Sequence, residues 1–254
     1  MSAGREHILT QAFVSIANSL VDGVDVVDLL SGLTTDCARL LDVASAGLLL
    51  ADGHGALHVL AASSERTRDL EMFQLQREQG PCLDCYRTGA PVKVDDLAAE
   101  AQRWPHFVEA ALAAGFASVH AVPLRLRDTV LGALNLFGNK VGPLPPDDLD
   151  LAQALAHVAS IALVAEKAAG DRETINEQLQ QALTSRIAIE QAKGVLAQLG
   201  NLEMDESFAV LRRYSRDHNR RLGEVAREVV SRELSGVDLL EHAKTSGTLT
   251  SGPG

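Results

Sequence analysis

The chain has few aromatics, few cysteines and no surplus of positive charge. One Trp, two Tyr and six Phe make up 4% of its 254 residues, so the core has to rest on Leu, Val, Ile and Ala. Its three cysteines, Cys37, Cys82 and Cys85, are too few and odd in number for a disulfide framework, which points to a reducing, cytoplasmic setting. With 23 Lys and Arg against 34 Asp and Glu the formal net charge is −11, which excludes a generally basic nucleic-acid coat protein. No apolar run reaches the ~18 residues of a membrane span; the most apolar stretch, from Leu151, is broken by Gln153, His157 and Ser160. At the amino terminus, Gln11, Ser15, Asn18 and Ser19 interrupt the apolar residues, so Arg5–Val21 reads as an amphipathic helix and not a signal peptide. The sequence contains no P-loop, HExxH, GxSxG or dinucleotide glycine fingerprint. Nothing in it argues for an enzyme or a resident cofactor.

What is present is ordinary for a globular chain: 46% apolar and 22% charged residues, over a length that suits two small domains. The charge is unevenly spread. Residues 184–235 hold nine Lys and Arg against eight acids, and Leu211–Arg221 alone, LRRYSRDHNRR, sets five arginines against one aspartate. Such a cluster is either a solvated helix face or a set of phosphate contacts.

Patterning gives the elements. Val24–Leu41 is periodic as a helix. Ala46–Leu50 and Leu57–Ala61 flank the turn residues Asp52-Gly53-His54-Gly55 and read as a hairpin. Arg66–Glu78 reads as a helix ended by Gly80-Pro81, Pro91–Val94 as a short strand, and Trp104–Ala114 as a helix closed by Gly115. Val119–Phe137 is a second hairpin turning at Arg127-Asp128-Thr129, and Pro145–Asp148 starts another helix. This run of strands and helices predicts an α+β fold, an antiparallel sheet flanked by helices. From Asp171 to Leu199 there is no proline, and Ile175, Leu179, Leu183 and Ile187 recur every four residues. That is a long helix, which either packs on its own domain or pairs with a second copy. Asp205 is the expected cap of the next helix, with Phe208 and Leu211 inward, and Leu222–Leu234 is a third. The organisation expected is a domain over 1–165, a linking helix over 166–183, a three-helix bundle over 184–236 and a disordered tail over 237–254.

The bundle carries Ile189-Glu190-Gln191-Ala192-Lys193-Gly194-Val195-Leu196, then Glu206-Ser207-Phe208, Leu211-Arg212-Arg213 and Val225-Ala226. In order and spacing these resemble the ANTAR domain of bacterial transcription antiterminators; Ser207 stands where the family usually has Ala. The resemblance implies binding to hairpin loops of nascent RNA, by a homodimer. The candidate contacts are Arg186, Lys193, Arg212, Arg213, Tyr214, Arg216, Arg220 and Arg221, whose charges suit phosphates and whose Tyr offers a stacking face. Ala192 and Gly194 are small positions expected to let helices approach closely.

The amino-terminal part carries Gly80-Pro81-Cys82, Tyr86–Val92, Asp95-Asp96-Leu97, Trp104-Pro105, Gly115-Phe116 and the hairpin Pro123–Leu136, and resembles a GAF domain over residues 5–165. That resemblance implies a pocket for an unidentified small molecule between the sheet and the segments carrying Gly80–Thr88 and Trp104–Phe116. Cys82, Cys85, Trp104 and Phe116 are its candidate ligand or redox residues. The Cys82-Leu83-Asp84-Cys85 motif suits zinc only with a second pair, and Cys37 is the one other cysteine; as a redox pair it needs a helix amino terminus to lower a thiol pKa. The expected whole is an RNA-binding regulator of transcription termination under the control of a small-molecule or redox signal. Two alternatives stand beside it: a protein-interaction regulator with a solvated arginine face, and a thiol redox sensor or reductase using Cys82 and Cys85.

Overall fold

The computed structural model describes residues 14, 26–165, 172–246 and 248, with the backbone alone at 26 and over 164–165 and 172–179. The helix expected over Arg5–Val21 therefore lies outside the described residues, Val14 excepted. The chain divides into two compact units, residues 1–180 and 181–254.

In the first unit α1 (Val26–Leu40) leads into strands β1 (Ser45–Ala51) and β2 (Leu57–Ala62). Their loop is held by the Asp52 carboxylate, which accepts from the backbone N–H of His54 at 2.8 Å and of Ala56 at 3.0 Å. Ser64 caps α2 (Glu65–Arg77) by accepting from the Thr67 N–H. Pro81 does more than end that helix. It occupies the first turn of a further one, α3 (Pro81–Thr88), where its missing N–H has no helical partner to lose. β3 (Val92–Val94), α4 (Pro105–Ala113), β4 (Ser118–Leu126), β5 (Thr129–Gly138) and α5 (Pro146–Ala165) follow.

The five strands form one antiparallel sheet in the order β2-β1-β5-β4-β3. Successive side chains of a strand point to opposite faces, and in β4 and β5 both sets are buried, so helices cover both faces. Leu49, Ala121, Ala133 and Asn135 share the face covered by α2, α3 and α4. Leu48, Leu50, Val122, Leu124, Leu134 and Leu136 share the other, under α1 and α5, which are joined where the Asp42 N–H donates to Asp148 at 3.0 Å.

α6 (Arg172–Gly200) begins in the first unit and enters the second at Gln181, where α7 (Met204–Asp217), α8 (Leu222–Ser231) and α9 (Gly236–Thr245) follow. The α7 cap is Glu203 and not Asp205: the Glu206 side chain reaches back to accept from the Glu203 N–H at 3.0 Å, which leaves Asp205 inside the first turn. Phe208 is half-buried, and Ser207, Val210 and Leu211 take the inward places. On α6, Leu183 is buried but Ile187 is 61% exposed. A repeat of four overshoots the helical turn by about 40° at each step and carries the stripe off the buried face. Ile175 and Leu179 lie where only the backbone is described.

The stretch expected as a disordered tail from 237 instead begins as α9. Ser235 accepts from the Val237 N–H, and Leu239, Leu240 and Ala243 are buried in the bundle. The low-complexity composition that suggested disorder belongs to the residues after Thr245, not to this capped amphipathic helix of nearly three turns. The small residues also divide. Ala192 is fully buried, but a Cβ on Gly194 would meet nothing within 4 Å, so no described helix requires that glycine.

Candidate functional sites

Inside the sheet unit, α2 and α3 set polar groups against the sheet. Glu71 and Gln74, one turn apart on α2, are completely buried, as are Asn135 on β5 and Cys82 and Cys85 on α3. Asn135 donates through Nδ2 to Glu71 Oε1 at 2.7 Å, and Gln74 donates through Nε2 to Glu71 Oε2. The backbone is bare where these side chains lie. A Cβ on Gly47 would fall 2.3 Å from Glu71 Oε1, and one on Gly80, at a φ of +145°, would fall 2.3 Å from Gln74 Oε1. Burial pushes the Glu71 carboxyl up to about 8 against the opposing pull of its two amide donors. Gln74 Oε1 and Asn135 Oδ1 are buried with no partner among the described residues. The polar part of this interior therefore offers mainly acceptors.

The candidate residues in this unit fall into two neighbouring clusters. Cys82 and Cys85 lie with Leu49, Val59, Ala121 and Ala133. Trp104 and Phe116 belong to another cluster with Phe107, Val119 and Phe137: Trp104 meets Phe107 edge-on at 6.4 Å and Phe116 meets Phe137 at 4.9 Å. The thiols do not have the properties of a redox pair. Burial, then the Glu71 carboxylate, raise the Cys82 thiol; burial pushes Cys85 up to about 12 and Cys37 likewise. Thiolate reactivity needs the opposite shift. The structure supplies the helix start that a redox pair at Cys82 needs, but it also buries the thiol. Glu71, Gln74 and Asn135 were not singled out from sequence. No pattern along α2 marks the first two, because its buried face, Thr67, Leu70, Glu71 and Gln74, is itself mostly polar.

In the helical unit the candidate RNA residues separate by burial. Arg186 and Lys193 are nearly inaccessible and converge on Glu190: Arg186 Nη2 is 2.6 Å from Oε1 and Lys193 Nζ is 3.2 Å from Oε2. Lys193 also lies 5.9 Å from the centre of the Phe208 ring. Arg186, Glu190 and Lys193 all lie on α6, so these ion pairs run within one helix, and Lys193 reaches α7 through the Phe208 ring. Arg213, Arg216 and Arg221 are exposed, while Arg212, Tyr214 and Arg220 are half-buried. All six lie on α7 or in the turn that follows it. Arg213 Nε donates to Asp217 Oδ2 at 2.7 Å, and Arg220 Nη1 donates to Glu228 Oε2 at 2.9 Å. His242 donates to the same Asp217 oxygen across a 2.8 Å contact, and it and Arg213 hold that carboxyl below its ordinary range. The Tyr214 ring stacks on His218 at 4.0 Å and meets His242 edge-on at 5.4 Å.

Among the described residues no cluster of His, Cys, Asp and Glu is arranged to hold a metal ion, and no helix is long and apolar enough to cross a membrane.

A family model for the GAF domain matches residues 23–164, and one for the ANTAR domain matches residues 177–230. No curated protein matches the chain. Among solved structures, the GAF domain of an Acinetobacter phosphoenolpyruvate-protein phosphotransferase is similar at a TM-score of 0.50 and 15% identity, covering 68% of this chain and 99% of that one. The GAF domain of the Coxiella burnetii phosphoenolpyruvate-protein phosphotransferase follows at 0.48 and 15%, covering 63% and 92%. The free methionine-R-sulfoxide reductase of Neisseria meningitidis, solved with its substrate, is similar at 0.46 and 17%, covering 70% and 91%.

Proposed function

For a chain that belongs to the GAF domain family and carries an ANTAR domain behind it, we propose a signal-responsive, RNA-binding regulator of transcription termination. Both domains are regulatory. The RNA would be a hairpin in a nascent transcript, bound by a homodimer in the cytoplasm, and the signal a small molecule taken up by the sheet unit; the protein would not be an enzyme. The observation that carries this reading is the arginine face of the ANTAR segment. Arg212, Arg213 and Arg216 on α7 and Arg220 and Arg221 after it give Leu211–Arg221 a net charge of +4 in a chain of −11. Phosphates would replace the Asp217 and Glu228 carboxylates that now pair with Arg213 and Arg220. Arg186 and Lys193, buried and paired with Glu190 on α6, would belong to the bundle's packing instead of touching RNA.

The interaction-module alternative has its own support, because arginines paired with surface carboxylates are also what a solvated face looks like. Crosslinking to RNA in the host separates the two. Recovery of hairpins ahead of terminators, lost in Arg212→Ala/Arg213→Ala, supports antitermination. Recovery that the double variant leaves unchanged refutes it. In vitro, the affinity should fall steeply with salt, and each of these arginines removed should lower the slope of log affinity on log salt by about 1.

A further inference from the structure

The rings at the end of α7 are arranged for more than holding helices together. Tyr214 and His218, four residues apart, share one face of α7 and lie nearly parallel, at 18° and 4.0 Å. His242 reaches them from α9, 5.4 Å from Tyr214 and 5.0 Å from His218. Each histidine is oriented by a polar anchor: His218 Nδ1 lies 2.9 Å from the Tyr214 carbonyl oxygen, and His242 Nε2 lies 2.8 Å from Asp217. The buried apolar residues of these helices are others, Val210 and Leu211 on α7 and Leu239, Leu240 and Ala243 on α9. The three rings therefore sit at the rim, with His218 exposed and the other two half-buried, beside Arg213 and Arg216. The matched ANTAR segment ends at residue 230, so α9 and His242 are additions to it. Because α9 carries Asp238 and Glu241 against Lys244, what it adds to this corner is a ring and not positive charge.

We propose that Tyr214, His218 and His242 form a platform on which an unpaired RNA base stacks, with α9 completing the RNA site and Arg213 holding the neighbouring phosphate. The inference rests on the RNA-binding reading above. Stacking on aromatic side chains is tolerant of base identity but requires a base that is free of a duplex. The platform thus selects loops over stems, while the arginines bind either one.

The test uses the full chain and two synthetic RNAs, a hairpin with a short adenine-rich loop and a blunt duplex of the same stem. The wild-type chain should prefer the hairpin by about ten-fold or more. His242→Ala and His218→Ala should each remove most of that preference with an unchanged salt slope, and His242→Phe should restore it, since Phe retains the ring and loses only the Asp217 contact. Circular dichroism melting of each variant confirms that the bundle is intact. Arg213→Ala should weaken both RNAs alike and lower the salt slope. Equal binding of hairpin and duplex by the wild type, or a His242→Ala variant that keeps the preference, overturns the platform while leaving RNA binding standing. Binding of neither RNA overturns both.

Discussion

Replacing Glu71 by Gln should flatten the response of the sheet unit to pH. In the fold the buried carboxyl is pushed from 4.5 up to about 8, while in the unfolded chain it titrates as an ordinary carboxylate. Between those values the native state keeps the proton and the unfolded state has lost it, so stability falls as pH rises, by about 1.36 kcal/mol per unit. Below the unfolded value both states are protonated and the penalty is absent; above about 8 both are ionised and it stops growing. From about pH 5.5 to about pH 7.5 the loss from this one group is roughly 3 kcal/mol. Gln has the same shape and no titration, and Asn135 can turn its unpartnered Oδ1 toward the new amide. Trp104 is the one tryptophan, and it is buried in this unit, so its fluorescence during urea unfolding follows the unit directly. The variant should gain roughly 3 kcal/mol on the wild type between the two pH values, all other titrations cancelling in the difference. Parallel pH profiles for the two proteins would refute the claim that the fold holds this carboxyl protonated.

Three further outcomes follow from the packing. A thiol reagent should find none of the three free cysteines reactive in the native chain and all three after denaturation; rapid native labelling of Cys82 or Cys85 would revive the redox alternative. Gly194→Ala should stabilise the helical unit by roughly 0.5–1 kcal/mol, because a mid-helix glycine is replaced where its Cβ meets nothing. A lower thermal midpoint in that variant would show that the space is not open. Leu239→Ala should cost the same unit about 2–5 kcal/mol as a buried large-to-small change, whereas a melting curve like that of the wild type would mean that α9 does not belong to the bundle.

The exposed helix face at Gly194 also bears on RNA binding. Gly194 lies in mid-helix with open space beside it, which leaves room for a partner's backbone to come close. If Gly194→Ala stabilises the unit and yet weakens hairpin affinity, that partner is the RNA.

Local sequence was sufficient for whatever depends on neighbours along the chain. The apolar runs on either side of Arg127-Asp128-Thr129 gave the long hairpin, Asp52 to Gly55 the short one, and Pro146 with its acids the start of α5, because turn chemistry and apolar runs are properties of a few consecutive residues. The spaced motifs of both domains were legible for the same reason. Helix ends were harder. Asp205 is the preferred cap by residue type, but the cap fell to Glu203 because the Glu206 side chain reaches back to its N–H. α9 was missed because its buried leucines differ from a polar tail only once the rest of the bundle covers them.

What the sequence determined by itself was the kind of molecule: an acidic α+β sensor fold joined by a long helix to a helical module with an arginine cluster. Which cations face water, which thiols are sealed and which carboxyl keeps its proton were decided by tertiary structure alone. Arg186 and Arg213 are the same residue type, each with a carboxylate four residues on, yet Arg186 is buried and Arg213 is exposed. Charge state and accessibility depend on the dielectric and the partners that distant segments bring together, here α2 against β5 for Glu71 and α9 against α7 for Tyr214. No window of sequence contains both sides of those contacts.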